Sequence, residues 1–220
     1  MTRIVILGKP GSGKGTQSER ICSHYGIVRI STGDLIRAAI NDQTELGARF
    51  QEFSNKGLLV PDELILEMVT SRLAMNDCAA GFLLDGFPRT MYQAVSLGQW
   101  LEKRTLALTT ALYLRVPNEL LIERATGRRF CAVSGRTYHM IHNPPKMEGL
   151  CDVSGEALRE RADDKAEVVQ RRLEEYEHKT AAVIDFYRGA GNFVEVDGVG
   201  DLSTVTSRIF DGVKSSSHAE

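Results

Sequence analysis

The 220-residue chain has almost no net charge: 27 Lys and Arg against 29 Asp and Glu leave −2 at neutral pH. A balance this even gives no global basic field, which argues against nucleic acid or an anionic membrane as a partner. Long apolar runs are also missing. The first strand-like run, residues 4–7, is too short for a signal peptide or a membrane span, and no later run approaches membrane length. Cysteine is scarce. Cys22, Cys78, Cys131 and Cys151 do not make a dense disulfide framework, so a reducing cytoplasm is the expected location. No internal repeat or low-complexity linker divides the chain.

What is present reads as an ordinary globular protein, 42% hydrophobic and 25% charged. The length suits one α/β domain, with or without insertions, and is enough to bury a sizeable core. Apolar, β-branched runs predict strands at 3–7, 28–31, 81–85, 111–116 and 193–196. Helical patterns fall at 14–25, 62–75, 90–102, 117–126, 168–188 and 202–213. Short strands alternating with helices predict a mostly parallel sheet covered on both faces. Two segments break the rhythm. Residues 31–60 have helical character but no strand. Residues 127–164 are rich in Gly, Pro and short polar residues, and a structureless loop of that length is improbable unless it is functional or a small domain. Both read as insertions over the carboxyl edge of the sheet, where open α/β folds bind ligands. The last six residues, SSSHAE, are expected to fray.

Residues 8–16, GKPGSGKGT, carry the chemistry. Gly8-x4-Gly13-Lys14 lies between a predicted strand and a predicted helix, the setting that makes this spacing a phosphate loop rather than a glycine-rich turn with a surface lysine. Glycines let backbone N–H groups converge on phosphate oxygens, and the amino end of the helix favours negative charge. Lys14 adds a point charge at the β/γ end. The general motif places a Ser or Thr hydroxyl on Mg²⁺ directly after the lysine. Here that residue is Gly15, and the hydroxyl comes one later at Thr16. The expectation is a Mg²⁺ held mainly by phosphates and water, with Asp85 at the end of the third strand orienting those waters.

Phosphate loops serve hydrolases, motors and kinases alike, so the fate of the phosphate has to be read elsewhere. Arg37 follows STGD, Arg89 closes LLDGFPRT, Arg124, Arg128 and Arg129 lie in ERATGRRF, and Arg161 and Arg172 bracket ADD. One or two of them read as plain surface arginines; so many at strand ends and insertion hinges do not. Bringing two polyanions together requires cancelling their repulsion, and guanidinium forks bind phosphate oxygens in pairs. Phosphoryl transfer needs this positioning and charge stabilisation more than covalent help.

Taken together, GKPGSGKGT, ISTGDLIRAAI, GLLVPDEL, GFLLDGFPRT with Gln93, ATGRR, HNPPK and RADD resemble the adenylate kinases of the bacterial, long-lid type, in register from residue 1 to about 200. The resemblance implies an α/β fold: a five-stranded parallel P-loop sheet with helices on both faces, plus AMP-binding and lid insertions. The core would comprise 1–30, 61–126 and 165–220, the AMP-binding insertion 31–60 and the lid 127–164. The implied reaction is ATP + AMP ⇌ 2 ADP with Mg²⁺, run by a monomer whose partners are ATP and AMP or ADP. Gly11, Ser12, Gly13, Lys14, Gly15 and Thr16 would cradle the ATP phosphates. Arg124, Thr137, Tyr138, His139 and the backbone near Gly200 would border the ATP base, Arg124 by cation–π stacking. Thr32, Arg37, Leu58, Leu59, Val60, Gly86, Phe87, Pro88, Arg89 and Gln93 would form the AMP site. In it, Gln93 would read the adenine edge, and Arg37 and Arg89 would hold the α-phosphate. Arg128, Arg161 and Arg172 would clamp the transferring group, with Lys14 and Asp85 beside them. Plainer readings compete: His139 as a lid-surface histidine, Gln93 as an exposed helix residue, Leu58 and Val60 as core. For the Phe87–Pro88 bond, residue chemistry alone favours trans, whereas the resemblance implies cis. A closing lid has a physical purpose here, because water competes for the transferred group and a closed site excludes it.

Relatives with zinc in the lid carry C-x2-C followed by C-x2-C or C-x2-D. Here the second position of each pair is a serine, giving Cys131-x2-Ser134 and Cys151-x2-Ser154. Serine is a poor zinc ligand, so a structural zinc is not expected and a polar network at these four positions is. A Cys131–Cys151 disulfide stays open as an alternative. Two rival functions also remain: another nucleoside monophosphate kinase acting on UMP or CMP, and a P-loop NTPase or nucleotide-binding regulator.

Overall fold

The computed structural model describes residues 1–43, 45–56 and 58–216. The expected frayed tail therefore lies, from residue 217 on, outside the described residues. β1 (Thr2–Leu7) is the middle strand of a five-stranded parallel sheet ordered β2-β3-β1-β4-β7. Its neighbours are β2 (Val28–Ser31), β3 (Gly81–Asp85), β4 (Thr110–Arg115) and β7 (Phe193–Asp197). These are the strands that the apolar runs predict. A parallel sheet covered on both sides needs strands that are apolar throughout, and β3 reads GFLLD with every residue buried.

Alternate residues feed two cores. Val5, Leu7, Phe82 and Leu84 face one with Phe87, Leu97 and Val183, while Ile4, Ile6, Leu83 and Leu112 face the other with Ile21, Val205 and Ile209. Each such side chain, taken fully out of water, stabilises the fold by about 1.5–3 kcal/mol. The first core is covered by α4 (Asp62–Leu73), α5 (Met91–Glu102) and α8 (Ala181–Arg188), the second by α1 (Lys14–Tyr25) and α9 (Leu202–Ser216). Residues 31–60 hold α2 (Thr32–Asn41) and α3 (Glu45–Lys56) among the described residues. α2 begins where Ser31 Oγ accepts from the Asp34 N–H at 3.2 Å, a serine cap on a helix whose first turn is acidic.

Two departures from the sequence reading concern the second half of the chain. The single helix expected over 168–188 is α7 (Ala166–Glu175) and α8 joined by a π-helical turn, Tyr176–Thr180. Residues 127–164 form a small β unit following α6 (Asn118–Thr126), in keeping with the small domain that their length suggests, though its strands are not among those predicted. In it β5 (Arg128–Phe130) pairs antiparallel with β6 (Thr137–His139), and further bridges join Phe130 to Arg159 and Leu150 to Ala157. Periodicity cannot reveal it, because both strands are three residues long. Its core is Cys131, Tyr138 and Cys151 with Leu158.

Candidate active site

Parallel pairing brings the carboxyl ends of the strands together: Ile6 lies opposite Asp85 on β3, and Ser31 opposite Asp85 from β2. The chain turns there from β1 into α1 through the glycine-rich loop. Gly11 and Gly13 have φ of 82° and 91°, a region that L side chains rarely adopt. A Cβ on Gly11 would lie 2.4 Å from the Leu121 carbonyl oxygen, whereas one on Gly13 would meet no protein atom within 4 Å. The loop is therefore pressed against α6 on one side and open on the other. Lys14 turns back across it, its Nζ donating to the carbonyls of Gly8 (2.6 Å) and Lys9 (2.8 Å). Burial, helped by the cations of Arg89, Arg172 and Arg128 and opposed by Asp85, lowers the Lys14 ammonium to about 7.

Above the loop lies a cleft of about 1450 Å³, bordered by Lys14, Arg37, Arg89, Arg124, Arg128, Arg161 and Arg172. A pocket for one drug-sized ligand spans about 300–1,000 Å³, so this cleft has room for two. Its cations come from five parts of the chain and repel one another. Burial and Arg172 bring Arg89 down to about 10; burial and the charges of Arg37 and Arg128 bring Arg161 to about 10. Burial lowers Arg172 as well, against the pull of Asp163, to which it donates at 3.0 Å. Arg128 is the exception. Burial opposes its charge, but its fork on the fully buried Asp164 outweighs that and leaves it raised. Arg161 stands over the Phe130 ring, and its Nε is buried without a hydrogen-bond partner.

The expected acceptor residues line one end of this cleft. Thr32 Oγ1 donates to the Gly86 carbonyl at 2.9 Å, and Arg89 Nε to the same oxygen at 2.8 Å, after the cis Phe87–Pro88 bond that the resemblance implied. Gln93 is only 2% exposed, so it is no surface helix residue. Its carbonyl oxygen accepts from the Arg89 N–H and its amide donates to Asp62, both at 2.7 Å. One N–H and one lone pair of Gln93 remain for a ligand. Leu58 is exposed and Leu59 half-buried at the rim, Val60 and Phe87 are buried, and all four border the cleft.

The other end is bordered by Thr137, His139 and the 198–201 turn with Gly200. Arg124 ties the turn to α6 by donating to the Gly198 carbonyl at 3.1 Å. His139 is half-buried, with Nδ1 accepting from the Ile141 and His142 N–H groups at 3.1 Å and Nε2 buried without a partner. Tyr138 departs from the expectation. It borders the cleft, but its phenol is turned into the small β unit, where its oxygen meets Cys151 Sγ and accepts from the Asp152 N–H. Alternation along β6 requires this, since the residue between Thr137 and His139 points the opposite way.

A family model described as adenylate kinase matches residues 6–192. The adenylate kinase of Shouchella clausii is 50% identical over 94% of this chain and 95% of its own length. That of Carboxydothermus hydrogenoformans is 47% identical (94% and 97%), and that of Bacillus subtilis 46% (94% and 96%). The chain belongs to the adenylate kinase family. Its membership accounts for a cleft sized for two nucleotides, which a hydrolase working on one nucleotide and water has no use for.

An adenylate kinase cleft also raises the question of metals. Asp85 and the Thr16 hydroxyl at the mouth of the loop supply the hard oxygen donors that Mg²⁺ takes alongside substrate phosphates, so these residues fit a Mg²⁺ brought with the nucleotide. Zinc fits less well. Cys131 Sγ contacts Ser154 Oγ, and Cys151 Sγ contacts Ser134 Oγ, each at 3.1 Å. Two thiols and two hydroxyls share the square, all four cysteines are free, and no group of three His, Cys, Asp or Glu among the described residues could hold a metal. The disulfide left open by the sequence is not formed. Four residues escaped the sequence reading: Arg29, which pairs with Asp85; Asp62, which holds Gln93; Asp34, which pairs with Arg37; and Thr180, whose hydroxyl donates to the Arg89 carbonyl at 2.8 Å. Asp34 and Asp62 lie inside the motifs ISTGDLIRAAI and GLLVPDEL without having been given a role, and Arg29 is a charge inside the strand run VRIS.

Proposed function

We propose a division of labour for this chain, which transfers a phosphoryl group reversibly between ATP and AMP. Residues 31–60 bind AMP, 127–164 form a lid, and the remainder is the core. ATP phosphates lie on the backbone of Gly11–Thr16, where helix α1 presents its amino end. Lys14 leaves the Gly8 and Lys9 carbonyls for the β/γ oxygens. The ATP base lies between Arg124, His139 and the backbone near Gly200, and the backbone of Thr137 and Tyr138 borders it.

AMP enters at the other end. Arg37 and Arg89 hold its α-phosphate and Gln93 reads its adenine edge, with Thr32, Leu58, Leu59, Val60, Gly86, Phe87 and Pro88 shaping the pocket. Arg128, Arg161 and Arg172 stabilise charge on the group in transit. The AMP phosphate is already ionised, so no side chain needs to remove a proton to create the nucleophile. Mg²⁺, when bound with ATP, neutralises the phosphate charge; Asp85 and Thr16 orient its water shell. A structural zinc is not part of this reading, because two of the four donor positions are hydroxyls.

The observation that carries the reading is the convergence of five half-buried cations, Lys14, Arg89, Arg128, Arg161 and Arg172, on one cleft, with too few carboxylates to balance them. Such a site is completed by a polyanion. A monomer is the state that the family resemblance implies, and this reading requires no second chain. The even charge supports a protein without nucleic-acid or membrane partners. No helix among the described residues is long and apolar enough to cross a membrane, and the free lid thiols fit a reducing cytoplasm. The test is to sort Michaelis constants. Arg37→Ala and Gln93→Ala should raise the KM for AMP while leaving that for ATP within about twofold, and Arg124→Ala should do the reverse. Equal effects on both nucleotides would refute the assignment.

A further inference from the structure

Arg29 has no part in the division of labour above, yet it reaches the centre of the cleft. Its NH2 donates to Asp85 Oδ2 at 2.7 Å, and its NH1 lies 3.1 Å from Asp34 Oδ2. The other Asp34 oxygen pairs with Arg37. Glu19 lies at the edge of this group, 4.0 Å from Arg29 NH1. A Cβ on Gly15 would stand 3.2 Å from Arg29 NH2, so the guanidinium rests against the phosphate loop itself. Charges thus alternate along one line, Asp85–Arg29–Asp34–Arg37, from the carboxylate beside Lys14 to an arginine proposed for AMP.

We infer that Arg29 is a positioning residue that couples the acceptor site to the divalent cation beside the phosphate loop. In the nucleotide-free chain Arg29 occupies an Asp85 oxygen that would otherwise face the metal's water shell. A monophosphate on Arg37 competes with Asp34 for that guanidinium. Asp34, released, draws Arg29 with both oxygens, and Asp85 is freed. By reciprocity the cation then strengthens AMP binding by the same factor. The direction is fixed by the alternation of signs: each opposite charge removed at one end loosens the pair after next. The inference rests on the proposed placement of AMP at Arg37.

Mn²⁺ binding, followed by electron paramagnetic resonance, reads this without turnover. The full chain is loaded with an ATP analogue bearing a methylene bridge between its β and γ phosphorus atoms, with and without AMP. In the parent, AMP should tighten Mn²⁺ about fivefold, at the lower end of ordinary coupling. Arg29→Gln should bind Mn²⁺ tightly from the start and no longer respond to AMP. Asp34→Asn, which leaves Arg29 only Asp85 and Glu19, should bind Mn²⁺ weakly and also not respond. General loosening of the fold would move both variants the same way, so opposite basal shifts with loss of response support the coupling. An unchanged AMP response in Arg29→Gln, or weaker Mn²⁺ binding than the parent without AMP, would overturn it. If the parent's KM for AMP also fails to depend on Arg37, the placement of AMP is at fault; if it does depend on Arg37, the fault lies with Arg29.

Discussion

Raising the pH should weaken ATP binding through Lys14. In the nucleotide-free chain burial lowers this ammonium to about 7, so at pH 8 about nine in ten molecules carry it neutral. Phosphate oxygens need the charged form, so binding ATP at pH 8 should take up about 0.9 proton. Above pH 7 the apparent affinity should fall nearly tenfold per pH unit, about 1.36 kcal/mol each, until the pKa of the complex is reached. Between pH 7 and 9 that amounts to roughly 50-fold, because half of the lysines are already neutral at pH 7. Calorimetric titration with the methylene ATP analogue, in two buffers of different ionisation enthalpy, gives the proton count directly. Lys14→Met should bind weakly and show neither the uptake nor the slope. The same depression has a sign for stability. The unfolded lysine binds its proton up to its ordinary pKa of 10.5, so the nucleotide-free fold gains stability as pH rises from about 7 towards 10.5. No proton uptake at pH 8, with an affinity flat from pH 7 to 9, would refute this picture of the loop.

Arg89→Met should lower kcat/KM for AMP by on the order of 10²–10³, while the thermal midpoint holds or rises because a half-buried charge repelled by Arg172 is removed; unfolding at assay temperature would contradict this. Gln93→Leu leaves the Asp62 carboxylate with one partner fewer and takes away the group proposed for the adenine edge. It should raise the KM for AMP about tenfold and narrow the preference for AMP over GMP, and an unchanged preference in parallel assays would count against that role. Ser134→Cys with Ser154→Cys makes four thiols together with Cys131 and Cys151 and should bind one zinc per chain, measured by metal analysis, with a chelator-sensitive rise in thermal midpoint. The parent should show no such rise.

Much of the site was legible because phosphate chemistry is written in short, local patterns. The loop at 8–16 lies between one strand and one helix, and the arginines lie near strand ends or at the hinges of the two insertions, which the parallel sheet brings to one edge. The fold of residues 127–164 was not legible. Its strands are three residues long, and its core is two thiols and a phenol joined across Ser134 and Ser154 rather than an apolar stripe. Nor was the break in the 168–188 helix, since the π turn keeps the apolar face continuous while bringing Thr180 to the Arg89 carbonyl. The orientation of Tyr138 and the partners of Gln93 depend on contacts between residues far apart in sequence. Arg29 shows the limit most plainly: a charge in a strand is visible from sequence, but its tie to Asp85, 56 positions away, is not.

The most direct test of the central claim is a phosphoryl-transfer assay with Mg·ATP and, separately, AMP, GMP, CMP, UMP or no acceptor, following the diphosphates by chromatography. The account predicts two ADP formed for each AMP consumed, with the other acceptors far slower and ATP intact when no acceptor is present. Steady loss of ATP to water without an acceptor, or a pyrimidine monophosphate preferred over AMP, would contradict it.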